Sequence, residues 1–166
     1  EAAFKAVQEY ADVDRRVFNG ETFDHDIPDA LLDAFYACWE RIAEPGEWWS
    51  GKERIAILEE VRKDRDEDHP KVRSPLADLS NTPSPVISPR TSEIVRMVTS
   101  NAAEIDDKWA KEAIYLIGEG KYSELVSLVV NILPIDIFCL LLGRPVVSLP
   151  VPKAGKPGGT IPDGLS

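Results

Sequence analysis

Among the side chains of this 166-residue chain that could move protons or attack electrophiles, five stand out by their setting: Glu53, His69, Asp136, Cys38 and Cys139. Glu53 and His69 bracket one predicted helix, and a carboxylate with an imidazole is a usable acid–base set. Asp136 interrupts the apolar run over residues 125–142. A carboxylate buried there needs a partner or a raised pKa. Facing a cavity, it would be a proton-handling group. Cys139 falls one turn on, on the same side of that helix. A lone redox thiol there would be blunted by the neighbouring anion, which disfavours the thiolate.

Each residue also has a purely structural reading. Ser50-Gly51-Lys52-Glu53 has the form of a capping box, in which the Glu closes the first turn. His69 sits in the charged exit Lys63-Asp64-Arg65-Asp66-Glu67-Asp68-His69-Pro70, where a solvated imidazole is expected. That acidic run lacks the Gly and the distant Glu of a calcium loop. Asp136 can bond a helix terminus freed by Pro134, or Tyr122 or Trp109 from elsewhere in the fold. His25, between two aspartates before Pro28, reads as a surface loop. Cys38 and Cys139, far apart among apolar neighbours, read as small buried hydrophobes. No Gly-rich phosphate loop, nucleophile elbow or Cys/His cluster is present, so no cofactor and no metal are expected.

The elements that must position these groups are helical. Residues 2–18 carry apolar side chains at near-helical spacing up to Asn19-Gly20. A second helix carries Leu31, Leu32, Phe35, Tyr36, Trp39 and Ile42, ending at Glu44-Pro45-Gly46. The third runs from the Ser50 cap through Ile55, Ile57, Leu58 and Val61, mostly on one side. Residues 65–90 hold five prolines and form a long polar connection. Ser88-Pro89 then reads as cap and first turn of a helix through Ile94, Val95, Val98 and Ala102. Another starts near Ile105-Asp106 and closes at Gly118. The last opens at Tyr122-Ser123-Glu124 and is apolar nearly all round, as befits a bundle centre or an oligomer interface. Pro134 should kink it. Its Ser, Asn, Pro and Asp make it a core helix rather than a bilayer span. The predicted domain covers residues 1–145. Residues 146–166, rich in Pro and Gly, are a tail or linker.

A formal charge of −10 argues against nucleic-acid and anionic-membrane partners. The opening Glu1-Ala2-Ala3-Phe4 is not a signal peptide, and a cytoplasmic location is expected.

Three stretches together resemble the alkylhydroperoxidase (AhpD-like) superfamily, which includes carboxymuconolactone decarboxylases. They are Trp48-Trp49 through Arg62, Tyr122-Ser123-Glu124-Leu125-Val126, and Ile135-Asp136-Ile137-Phe138-Cys139 through Arg144-Pro145. The resemblance covers about residues 25–150 and implies an all-α, AhpD-like helical bundle with a long Pro-rich loop and an extended C-terminal tail. In that superfamily a Glu near a helix start is followed by Cys-x-x-Cys. Glu53 is similar to that Glu, but Glu67-Asp68-His69-Pro70 stands where the thiol pair would be. Reversible Cys-x-x-Cys turnover therefore cannot occur in this chain.

The resemblance implies a non-peroxidatic domain, a structural or assembly half of a larger AhpD-related protein. It would form a homo-oligomer through its apolar last helix, or pair with a second AhpD-like unit. The alternatives are an acid–base enzyme of carboxymuconolactone-decarboxylase type using Glu53, His69 or Asp136, and an oxidoreductase whose thiol pair lies in a partner segment. A peroxidase using Cys38 or Cys139 alone ranks last.

Overall fold

The structure, a computed structural model, describes residues 17–18, 21–22, 29–65, 86–141 and 146–159. Its described part is dominated by five helices: α1 (Asp29–Ile42), α2 (Gly51–Arg65), α3 (Pro89–Ser100), α4 (Asp107–Ile117) and α5 (Glu119–Leu141). A 3-10 turn, Ala102–Glu104, joins α3 to α4. The all-α class expected from the sequence is what forms. One short exception precedes α1: β1 (Val17–Phe18) pairs antiparallel with β2 (Glu21–Thr22). The helix expected over residues 2–18 is thus extended at its last two positions, and residues 2–16 lie outside the described residues. Asn19-Gly20, expected to stop that helix, lie outside the described residues.

Helix starts follow their caps. Ser88 accepts from the Thr91 amide at 3.1 Å, with Pro89 in the first turn, as its fixed φ allows. Asp106 accepts from the Trp109 amide at 2.7 Å. Gly118, at φ +88°, ends α4, and α5 begins immediately, three residues ahead of the expected Tyr122.

α5 packs against α1, α2, α3 and α4, and α2 packs most extensively on α3. In α2 the four consecutive residues 55–58 are all buried. Ile55, Ile57, Leu58 and Val61 are the apolar residues expected on one side of this helix; Ala56 joins them, and Lys52, Glu59 and Lys63 keep a narrow charged face exposed. α5 leaves apolar residues exposed instead. Leu125, Leu128, Val129, Ile132, Ile135 and Asp136 form its buried face, while Val130, Ile137, Leu140 and Leu141 are 61, 48, 52 and 81% exposed. By length and composition α5 could cross a membrane, and a third of its apolar window is buried. Pro134 stands on the exposed side of this helix, within its assigned span. Water can reach the backbone carbonyl that its missing N–H leaves unbonded.

Residues 146–159 are irregular, as their prolines require, but they are docked rather than trailing. Val147 and Leu149 pack on the core, and Pro150 is buried. The expectation of an unpacked tail is corrected for these residues. The Pro-rich connection expected over 65–90 lies outside the described residues at positions 66–85.

The start of α5 is fitted to the loop before α2. A Cβ on Gly120 would run into the Trp48 indole. Gly120→Ala gains at most about 1 kcal/mol of helix propensity, whereas overpacking costs about 1–3 kcal/mol. A net loss of stability is expected in urea denaturation, and it should be relieved when Trp48→Ala is added.

Candidate functional site

Two groups of polar side chains from distant parts of the sequence meet inside the bundle. The first begins with Asp136, which has no exposed surface. Arg62, near the end of α2, closes on it with both arms: Nε donates to Oδ2 at 2.9 Å and Nη2 to Oδ1 at 2.7 Å. Two parallel charge-assisted bonds are the strongest way to hold a buried carboxylate. The guanidinium also lies 5.7 Å from the centre of the Trp39 ring on α1, within cation–π range. Helices α1, α2 and α5 are therefore tied at one level by Trp39, Arg62 and Asp136. Among the described residues the buried Trp39 indole N–H has no hydrogen-bond partner, a destabilising element inside the same group.

The second group closes the other end. Glu124, in the first turns of α5, accepts from the Trp48 backbone amide at 2.7 Å. Its Oε1 lies 3.4 Å from Arg54 Nε, an ion pair without hydrogen-bond geometry. Arg54 Nη1 donates to the Glu44 carbonyl at 2.8 Å. Burial pushes the Arg54 pKa down, and Glu124 and Glu44 oppose it. The Trp49 indole donates to the Lys121 carbonyl at 2.9 Å, and Lys121 Nζ sits 4.4 Å above the same ring.

The candidate residues fall into this frame as follows. Glu53 belongs to its own helix start: Oε2 accepts from the Ser50 amide at 2.9 Å and from Ser50 Oγ at 2.6 Å, and the Glu53 amide donates back to Ser50 Oγ at 3.4 Å. This is the complete capping box. His69 and the corner around it lie outside the described residues. Asp136 is bonded by Arg62, a partner the sequence reading did not name. Among the described residues the structure does not bring Glu53 and Asp136 together, since one caps the start of α2 and the other faces its end.

Neither cysteine forms a disulfide. Cys38 Sγ contacts Asn131 Oδ1 at 3.7 Å. Burial pushes the Cys38 thiol up, with Arg41 and Arg54 partly offsetting. A raised pKa leaves the thiol protonated near neutrality, the opposite of what a peroxidatic sulfur needs. Among the described residues no group of three or more His, Cys, Asp or Glu is placed to hold a metal ion. An open depression on α4 is lined by Asp107, Lys108, Lys111, Glu112 and Tyr115, all from that one helix.

Arg62 and Glu124 are the residues that sequence reasoning missed as partners. The signal for Arg62 was its place beside Val61, at the edge of an apolar face, facing a chain whose last helix holds a single carboxylate within its apolar run. No protein family, curated protein or solved structure matches the chain.

Breaking one side of a buried ion pair strands the other charge, at about 3–5 kcal/mol. Asp136→Ala is expected to lower stability by about that amount in denaturant titration. Combining Arg62→Met with Asp136→Leu should recover most of it, since apolar isosteres often match a buried pair. Cys38 alkylation by iodoacetamide, followed by peptide mapping, should be slow at pH 7. Its rate should keep rising beyond pH 9, because a thiol with a raised pKa ionises late.

Proposed function

We propose that this chain is a non-peroxidatic helical domain of AhpD-like type that works as a structural or assembly half, and that it self-associates through the outer face of α5. The observation that carries this reading is the commitment of both described candidate carboxylates. Glu53 is consumed by a helix cap and Asp136 by a bidentate arginine. A general acid or base needs its proton-bearing oxygen within reach of a substrate. Asp136 has no exposed surface and both its oxygens are held by Arg62, while Glu53 holds its helix start through Oε2. The sequence adds the absence of Cys-x-x-Cys.

The association surface is the stripe Val130, Pro134, Ile137 and Leu141, spaced four, three and four residues apart, so that it follows one side of α5. Leu140 widens it. Fully burying such an aliphatic side chain is worth about 1.5–3 kcal/mol, and roughly half of that surface is still to be buried here. The two stripes of a pair therefore supply roughly 6–12 kcal/mol together, against about 4–15 kcal/mol lost on association. Affinity in the micromolar range or weaker follows, unless neighbouring surfaces join. A second copy, or a second AhpD-like unit offering an equivalent helix, would cover it.

Native mass spectrometry across roughly 1–100 μM protein is expected to show dimers or higher species, and Ile137→Glu with Leu141→Glu should abolish them. A wild-type chain that stays monomeric throughout overturns the interface. In any assembly that has activity, Glu53→Gln should leave the rate within about twofold. A loss of 10²-fold or more would instead identify a proton-transfer group.

A further inference from the structure

The apolar stripe on α5 is the second part of a longer seam. Ser123, Ser127, Val130, Pro134, Ile137 and Leu141 follow one another at four, three, four, three and four residues, and all six are exposed. That is the a/d spacing of helices that pair along their length. The seam changes character on the way, since its first two positions are serines and its last four are apolar. The polar part spends its donors on its own helix. Ser127 Oγ donates to the Ser123 carbonyl at 3.0 Å, and Asn131 Nδ2 donates to the Ser127 carbonyl at 2.7 Å. A partner that covered this part would strip water from polar atoms and return little.

The end of the bundle where α5 begins is also acidic. Glu44, Glu47 and Glu119 are exposed there. Lys153 offsets part of that charge. Its amide donates to the Ala43 carbonyl, just beyond α1, at 2.8 Å, and its Nζ reaches Glu40 Oε2 at 2.7 Å and Glu44 Oε1 at 3.2 Å. In a chain of formal charge −10, bringing two such ends together is unfavourable.

We infer that the second copy lies antiparallel, with the two α5 helices centred on each other at the level of residues 135–136, so that Val130 faces the partner's Leu141 and Pro134 faces the partner's Ile137. This rests on the self-association proposed above and adds its orientation and register. A parallel pair would set each seam residue against its own copy. It would stack serine on serine, align the two helix dipoles and juxtapose the acidic ends. The antiparallel pair opposes the dipoles and matches apolar with apolar at all four positions. Ser123 and Ser127 then stay in water, past the Leu141 end of the partner's helix. The acidic ends stand several Debye lengths apart, where salt screens their repulsion.

Cross-linking tests the register in the 166-residue chain. Val130→Cys and Leu141→Cys, each in the otherwise native chain, are mixed in equal amounts and oxidised mildly, and the disulfides are mapped by peptide mass. Facing positions of packed helices bring Cα atoms within about 7 Å, as a disulfide requires. Links between positions 130 and 141 are expected to exceed like-with-like links by about ten to one. A majority of 130–130 and 141–141 links overturns the orientation and leaves the association standing. No link at either position also overturns it, and native mass spectrometry then separates the causes: dimers fault the register alone, monomers fault the association as well. A second distance avoids the interface. Spin labels on Ser123→Cys, with Cys38→Ser and Cys139→Ala, are expected about 35–40 Å apart, from about twelve residues of helical rise on each side of the centre. A separation under about 20 Å, as side-by-side parallel helices would give, overturns the inference.

Discussion

A carboxylate without solvent contact, on the helix that packs against every other described α-helix, sets the terms for this bundle. Asp136 requires a charge partner, and the geometry of two parallel bonds leaves Arg62 little freedom. The register of α2 against α5 follows from that pairing, because sliding either helix by one residue would separate the pair. Hydrophobic burial supplies most of the favourable energy, but apolar contacts alone tolerate several alignments. Trp39, stacked on the guanidinium, brings α1 into the same alignment.

The other end of the bundle solves a different problem. Helix termini leave backbone groups unbonded, and burying them without partners is costly. Here the partners come from far along the chain. Glu124 serves the Trp48 amide, Lys121 offers its carbonyl to the Trp49 indole, and residue 153 serves the end of α1. The Trp48-Trp49 loop is thereby held without regular structure of its own.

Elements whose signals are local were legible in the sequence. The caps at Ser50 and Ser88, the helix start near Asp106, the stop at Gly118 and the structural role of Glu53 all rest on residues within four positions of one another. What escaped depends on distance in sequence. Asp136 was recognised as needing a partner, yet nothing local names Arg62, 74 positions away. The partners of the half-buried charges on α2 were hidden for the same reason, since they are carried by other elements, such as Arg96 on Glu60 at 2.7 Å. The docking of residues 146–159 was hidden by composition: Pro and Gly mark a segment that forms no helix, and say nothing about whether a surface elsewhere has been shaped for it. The resemblance to AhpD-like proteins pointed to helices, which form, and to a corner near His69 that lies outside the described residues.

The contact between Lys153 and Glu44 spans 109 residues. On a ribosome adding about 5–20 residues per second, α1 emerges roughly 5–20 s before the lysine that finishes it. Through that interval the nascent chain carries open carbonyls and an uncovered seam, which other strands in the cell can meet first. Completion is thus a late event set by the pace of translation, and slow codons or stalling between these two points would lengthen the vulnerable period without altering the finished molecule.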